Sequence, residues 1–128
     1  MRFAAIKRPG HVVKWAALAF CVAFIAIQVV PVSRTNPPVQ GEFGGSPEVA
    51  SVLRRACYDC HSNETVWPWY SRVAPVSWII ARDVNEGRAE LNFSAWNQLS
   101  TEQQAKAMRE SWKEVAEGEM PTWYYVLL

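Results

Sequence analysis

The sequence predicts an all-α protein in which one membrane-spanning helix precedes a small helical domain. Residues 12–32 are almost wholly apolar, and a helix of about 20 such residues crosses the roughly 30 Å hydrocarbon core of a bilayer. After residue 46 the apolar residues recur at helical spacing, and no stretch alternates as a strand does. The 128 residues leave room for one domain besides the anchor.

The net charge bears on nucleic-acid binding, and the position of the cysteines bears on lipid attachment. The formal net charge is +1 at pH 7, so the chain lacks the basic footprint of a nucleic-acid-binding protein, and we expect no nucleic-acid partner. Of the three cysteines, Cys21 lies alone in the apolar stretch. We interpret Cys21 as a small hydrophobic residue. A lipoprotein cysteine is the alternative, but the bulky Phe20 precedes it and the apolar run continues well past it.

Charges on either side of the apolar segment indicate its orientation. Residues 1–11 are basic, and the positive charges before or at the start of the segment are Arg2, Lys7, Arg8 and Lys14. Arg34 is the only early positive charge after it. Under the positive-inside rule, residues 1–11 are a cytoplasmic N-terminus, and residues after about 33 lie on the outer side.

A cleaved signal peptide is the alternative to an anchor. No small-x-small cleavage site follows the apolar run, since residues 28–32 (Gln-Val-Val-Pro-Val) are bulky and β-branched. The pattern therefore favours an uncleaved transmembrane anchor over residues 12–32.

The chain after the anchor divides into a linker and a domain. Residues 33–46 are rich in Pro, Gly and polar residues, which predicts an extended, flexible linker. The domain then covers residues 47–128. Ser46 as N-cap and Pro47 at the first helical position predict a helix over residues 47–59.

Three more helices are predicted in the domain. One covers residues 76–86 and ends at Gly87, and a short one is capped by Ser94. The last covers residues 101–117 and begins with a capping box, Ser100-Thr101-Glu102-Gln103. Its apolar stripe, predicted to face the core, consists of Ala105, Met108, Trp112, Val115 and Ala116.

The segment Cys57-Tyr58-Asp59-Cys60-His61 contains the candidate site residues, two thiols and a histidine. Two thiols separated by two residues, with a histidine directly after, are the pattern that attaches a c-type haem. Each thiol adds to one of two vinyl groups on the same porphyrin edge, and a helical turn brings both thiols within reach. His61 then lies beneath the ring as the proximal iron ligand. We predict one covalently attached haem c on Cys57 and Cys60.

Two other kinds of site use similar residues. A structural zinc site needs four ligands, whereas this segment offers three, two of them adjacent, and no second Cys/His cluster exists. A thioredoxin-like dithiol needs a βαβ context that the sequence does not show. Haem attachment is therefore the favoured interpretation.

Met120 is the favoured candidate for the second axial ligand. It stands just after a helix end and directly before a proline, so the backbone can approach a haem face there, and a thioether ligand raises the reduction potential. The alternative is that Met120 fills a gap in an aromatic cluster. Met108 lies on the apolar stripe and is predicted to be core, while His11 and Met1 precede the anchor.

Residues from about Ser46 to Tyr125 resemble the bacterial haem-binding domain proteins, which are small membrane-anchored periplasmic c-type cytochromes. The residues that carry the resemblance are 57–65 (Cys-Tyr-Asp-Cys-His-Ser-Asn-Glu-Thr), 67–70 (Trp-Pro-Trp-Tyr), 74–78 (Ala-Pro-Val-Ser-Trp), 83–88 (Asp-Val-Asn-Glu-Gly-Arg), 91–94 (Leu-Asn-Phe-Ser), Trp96 and 118–121 (Gly-Glu-Met-Pro). The resemblance implies a cytochrome c-like helical haem domain with proximal His61 and distal Met120. It also implies a bacterial inner membrane location with the domain in the periplasm.

The end of the chain departs from the family pattern. Relatives look as though they continue through a further helix, whereas this chain ends at Val126-Leu127-Leu128. We expect either a truncated chain or an apolar tail that packs on another surface.

The favoured function is periplasmic electron transfer with redox partner proteins that the sequence does not identify. The alternative is a haem-based redox or small-ligand sensor in which Met120 yields to another ligand. A peroxidase-type enzyme is disfavoured, because no distal acid–base group is evident and the nearby Glu114, Glu117 and Glu119 read as a solvated helix end.

Overall fold

The computed structural model describes residues 10–125 as a set of helices. These are α1 (Gly10–Ile27), α2 (Pro47–Ala56), α3 (Tyr58–His61), α4 (Val76–Glu90) and α5 (Thr101–Ala116), with 3-10 turns at Trp69–Arg72 and Trp96–Gln98. Within the described residues there is no β-strand, only an isolated bridge between Gly41 and Ala95. The all-α prediction is confirmed. The predictions for Met1, Arg2, Lys7, Arg8 and the tail Val126-Leu127-Leu128 lie outside the described residues.

Helix α1 corresponds to the predicted anchor. It has 18 residues, a mean hydropathy of 1.9 and no buried residue, and at 1.5 Å per residue it is about 27 Å long. It begins before residue 12 and ends at Ile27, short of the predicted residue 32. Length and composition suit a bilayer crossing, and a signal sequence has the same properties.

Helix α2 begins as predicted and ends early. The Ser46 hydroxyl accepts a hydrogen bond from the Val49 N–H, and Pro47 takes the first position. The helix ends at Ala56 rather than residue 59, because the backbone departs from helical geometry at Cys57 (φ −122°) and resumes as α3. The Cys57 carbonyl accepts N–H bonds from Cys60 (3.2 Å) and His61 (2.9 Å), which closes this turn.

A small aromatic core lies beside this turn. Tyr58 and Phe93 stack with ring centroids 5.4 Å apart, and Phe93 and Trp96 lie 5.8 Å apart. Leu53 completes the buried cluster, and Phe43 packs edge-on against Phe93. The core therefore joins α2 and α3 to the chain after α4.

Helix α4 was predicted to end at Gly87, but it continues to Glu90. Gly87 is buried, and a Cβ there would lie 2.8 Å from the Cys60 carbonyl oxygen. The glycine is therefore required for the close approach of α3 to α4 and not for a helix stop.

The prediction that Ser94 caps a short helix is wrong. Ser94 is buried and its hydroxyl accepts the Asn63 N–H at 2.9 Å, while the turn at Trp96–Gln98 has no side-chain cap. The hydroxyl thus joins two segments that are distant in sequence and does not cap a helix.

Residues 33–46 are extended as predicted, but they are not a free tether. Gln40 and Gly41 donate backbone hydrogen bonds to the Ser94 carbonyl (2.8 and 2.9 Å), and Asn36 donates to the Thr65 carbonyl at 2.9 Å. Much of the linker therefore packs along the domain.

Arg88 is the centre of this attachment. Its Nε donates to the Ser62 carbonyl (2.7 Å), one Nη to the Thr35 carbonyl (2.8 Å), and the other to Asn36 Oδ1 (2.9 Å) and Thr65 Oγ1 (2.7 Å). One guanidinium therefore joins α4, the linker and the segment after His61.

The predicted capping box at the start of α5 is confirmed, but the prediction that the whole apolar stripe faces the core is wrong. The Ser100 hydroxyl accepts the Gln103 N–H, and the Gln103 side chain accepts the Ser100 N–H. Of the stripe, Met108 packs on the aromatic core, whereas Trp112 and Val115 are 73% and 58% exposed. Within the described residues, α5 has no extensive backbone contact with α2, α3 or α4.

We predict that Arg88→Ala destabilises the domain, because it removes four hydrogen bonds from a charged donor to neutral acceptors. The expected loss is about 1.5–3 kcal/mol in the free energy of unfolding, measured by denaturant titration. The matched control is Arg82→Ala, which removes an exposed pair with Glu86 and should cost at most about 1 kcal/mol. Equal losses in both variants would contradict the role given to Arg88.

We predict that Gly87→Ala also destabilises the domain. Helix propensity alone favours alanine by about 1 kcal/mol, but the new methyl group would meet the Cys60 backbone. Overpacking of this kind costs about 1–3 kcal/mol, so the net change should be a loss of stability. Gly44→Ala, where a Cβ meets nothing within 4 Å, is the control. A more stable Gly87→Ala variant in thermal unfolding would show that α3 and α4 do not need this approach.

Candidate functional site

The turn between α2 and α3 brings together Cys57, Cys60 and His61. Because α3 is a single helical turn after Cys57, the two cysteines are three residues apart on one turn, where side chains are neighbours. Both thiols are free and half-buried. The spacing read from the sequence thus exists as a local structure with two adjacent, partly accessible thiols.

His61 is oriented from two sides. Its Nδ1 lies 3.1 Å from the Leu91 carbonyl oxygen, and its own carbonyl accepts the Phe93 N–H at 2.8 Å. A carbonyl can only accept, so Nδ1 carries the proton and the Nε2 lone pair is available. Metal-binding histidines commonly donate their other N–H to a backbone carbonyl in this way.

The role of Leu91 in the site is not evident from the sequence, although Leu91 lies in one of the segments that carry the family resemblance. It contributes through its carbonyl oxygen, and every residue has one, so residue type carries no signal. Gly87, in the last turn of α4, lies against the Cys60 backbone, and Leu91, directly after α4, accepts from the His61 imidazole.

The segment after His61 is tightly hydrogen-bonded. Ser62 is fully buried and its hydroxyl donates to the Tyr58 carbonyl at 2.7 Å. The Asn63 amide donates to the Pro38 carbonyl and accepts from the Asn92 amide, both at 2.9 Å. The Asp59 carboxylate accepts the Val66 N–H at 2.9 Å. These bonds hold the chain that leaves His61 in one path.

The thiols sit in an environment that disfavours their charged form. Burial raises the pKa of the Cys57 thiol. Burial, followed by the charges of Asp59 and Asp83, raises the pKa of the Cys60 thiol to about 11. Redox-active dithiols instead have a lowered thiol pKa. Among residues 10–125, no three His, Cys, Asp or Glu side chains are arranged to hold a metal ion by themselves, so this geometry lends no support to the zinc alternative.

Met120 lies in the turn that follows α5. Gly118 adopts φ +78° and turns the chain, and the Met120 N–H donates to the Glu114 carbonyl at 3.2 Å. The side chain is 40% exposed. These contacts are with the end of its own helix, so ligation by Met120 stays a prediction. Met108, by contrast, packs on the aromatic core.

The chain beyond Met120 returns to α4. The hydroxyls of Tyr124 and Tyr125 both donate to Asp83 Oδ2, at 2.8 and 3.2 Å. Burial raises the pKa of Tyr125, and the neighbouring Cys60 and Asp83 add to this shift. The segment that carries Met120 is therefore held by α5 at one end and by α4, near Cys60, at the other.

The residues present fit a haem group. The donor set consists of two free thiols on one turn and an imidazole whose Nε2 is available. Large apolar side chains on and after the second half of α5 are exposed in the protein alone: Trp112, Val115, Met120 and Trp123. Exposed large apolar side chains such as these are candidates for contact with a porphyrin, which is a large apolar ligand.

Comparison with known proteins agrees with this fit. The model of the haem-binding domain family matches residues 22–128, which is most of the chain. No curated protein and no solved structure gave a significant match. The match includes the end of α1 and the whole linker, in agreement with the hydrogen bonds that join the linker to the domain. The chain belongs to the haem-binding domain family.

Proposed function

We propose that this chain is a membrane-anchored c-type haem protein that transfers electrons on the periplasmic side of a bacterial inner membrane. The observation that carries the proposal is the turn of Cys57, Cys60 and His61, in which the bond to the Leu91 carbonyl leaves His61 Nε2 available. In this proposal α1 is the anchor, and one haem c is attached through both thiols.

Each protein group has a defined task. Cys57 and Cys60 hold the porphyrin edge by thioether bonds, which prevents the haem from dissociating. The Leu91 carbonyl fixes the tautomer and direction of His61, which would ligate the haem iron through Nε2. Met120 would supply the second protein ligand to the iron. When bound, the haem supplies an iron that gains or loses one electron in exchange with a redox partner protein.

The packed linker limits how far the carrier can move to meet its partners. Arg88 and Asn36 join the linker to the domain, so residues 33–46 do not act as a long free tether in this proposal. We propose instead that partner proteins come to a haem held at one place beside the membrane.

A sensor is the second candidate, because Met120 is partly exposed and, within the described residues, its backbone N–H bonds to the end of its own helix. A partly exposed ligand can be exchanged for a small molecule. Coordination distinguishes the two functions: iron that stays six-coordinate in both oxidation states favours a carrier, and an exchangeable site favours a sensor.

Haem should be attached covalently through both thiols. Acid–acetone treatment should leave the haem on the wild-type chain, and its pyridine haemochrome spectrum should be that of two thioether bonds. Cys57→Ala or Cys60→Ala should each shift this spectrum to that of one thioether bond, and the double variant should release all its haem. Cys21→Ala, outside the motif, is the control and should match wild type. Complete extraction from the wild type would refute covalent attachment.

Met120 should be the distal ligand. The oxidised wild type should show the weak near-infrared band of methionine-to-ferric charge transfer. In Met120→Ala this band should vanish, and the reduction potential should fall because the thioether favours ferrous iron. Met108→Ala is the control: it should keep the band and lose about 2 kcal/mol of stability, the low end for a buried methionine, because Met108 is only partly buried.

Two results would contradict this assignment. Loss of the band in Met108→Ala but not in Met120→Ala would make Met108 the ligand. Absence of the band in the wild type would favour the sensor.

A further inference from the structure

The outer end of α1 is hydrogen-bonded to one particular part of the domain. Gln28 directly follows α1, and its side-chain amide donates to the Ala74 carbonyl (3.2 Å) and accepts the Ala74 N–H (2.9 Å). Arg34 donates to the Ser71 carbonyl at 3.3 Å. The chain around residues 71–74 is therefore fastened to the point where α1 ends.

The chain on either side of this attachment exposes apolar side chains, and the Asp59 carboxylate lies at its far end, where it accepts the Val66 N–H at 2.9 Å. We call residues 66–76 the interfacial segment; it contains no Asp or Glu, and Arg72 is its only charge. Its large exposed apolar side chains are Val66, Trp69, Val73 and Val76, of which Val66 and Trp69 are more than three quarters exposed. Val29 and Val30, next to Gln28, are exposed as well. The apolar surface of α1 thus continues onto the domain.

The length of α1 places this surface at a bilayer boundary. A helix of about 27 Å matches the roughly 30 Å hydrocarbon core, so Gln28 lies at the level of the headgroups if α1 spans the membrane. The two bonds to Gln28 place Ala74 at the same level. Tryptophan is enriched at that depth, and Arg72 and Arg34 suit lipid phosphate groups.

We infer that the interfacial segment lies in the headgroup region of the outer leaflet, with bilayer lipid as its partner. The inference rests on the proposed membrane anchor. The segment leads directly into α4, whose Gly87 contacts the Cys60 backbone. Lipid contact at residues 66–76 therefore orients the haem-binding turn relative to the membrane plane, and it determines the side from which a redox partner reaches the haem.

Photocrosslinking of the full chain with its haem tests this inference. The chain is reconstituted in vesicles of phosphatidylethanolamine and phosphatidylglycerol, with p-benzoylphenylalanine in place of Val66 or of Trp69. Ile25, exposed on α1, is the position for a positive control, and Lys106, exposed on α5, is the negative control. After illumination, mass spectrometry of the protein measures lipid adducts, and the haem absorbance checks that each variant is folded.

We expect lipid adducts at positions 25, 66 and 69 and none at position 106. Adducts at 25 without adducts at 66 and 69 would overturn the inference and leave the anchor intact. No adduct at 25 would refute the anchor and, with it, this inference. A crosslink from 66 or 69 to a second copy of the chain would instead assign the surface to self-association, and adducts at 106 as well would show that lipid contact is not specific to the interfacial segment.

Discussion

The close approach of α3 to α4 at Gly87 is the constraint on which the rest of the structure depends. With no side chain at this position, the Cys60 carbonyl lies against the helix, and the next turn of α4 brings the Leu91 carbonyl to His61. The backbone of His61 is held by Phe93, whose ring is part of the aromatic core. The packing of α3 on α4 and the approach of the Leu91 carbonyl to the imidazole thus both depend on a residue without a side chain at position 87.

The linker is hydrogen-bonded to the same part of the domain. Arg88 lies one residue beyond Gly87 and uses its whole guanidinium on neutral acceptors in the linker and in the segment after His61. Burying a cation this way is favourable only where its hydrogen bonds are satisfied. The family match, which begins at residue 22, includes the linker residues that make these contacts.

Local signals could be predicted from the sequence, and contacts between distant segments could not. Ser46 and the capping box at Ser100 depend on residues within one turn, so their roles were evident. Gly87 and Ser94 are residue types that often mark helix ends. In this structure, however, both contact the segment 60–63, which is about 30 residues away in sequence. The haem motif was recognised from spacing, whereas the Leu91 carbonyl carries no residue-type signal.

The apolar stripe of α5 shows a further limit of pattern reading. Periodicity indicates which face of a helix is apolar, but it does not say whether protein, lipid or a cofactor covers that face. Met108 is covered by the protein core, while Trp112 and Val115 are not.

Exposed tryptophans occur in two parts of the domain, and in each part a partner outside the polypeptide would account for the exposure. Trp112 and Trp123 lie on the chain on either side of Met120, and Trp69 lies two residues before Ser71, whose carbonyl accepts a hydrogen bond from Arg34. A small domain buries too little of its own surface to be stable by a wide margin. We propose that a covalent haem covers part of the first group and bilayer lipid part of the second. The chain itself would then hold both partners close, one through thioether bonds and one through α1, so neither would need a high intrinsic affinity for its surface.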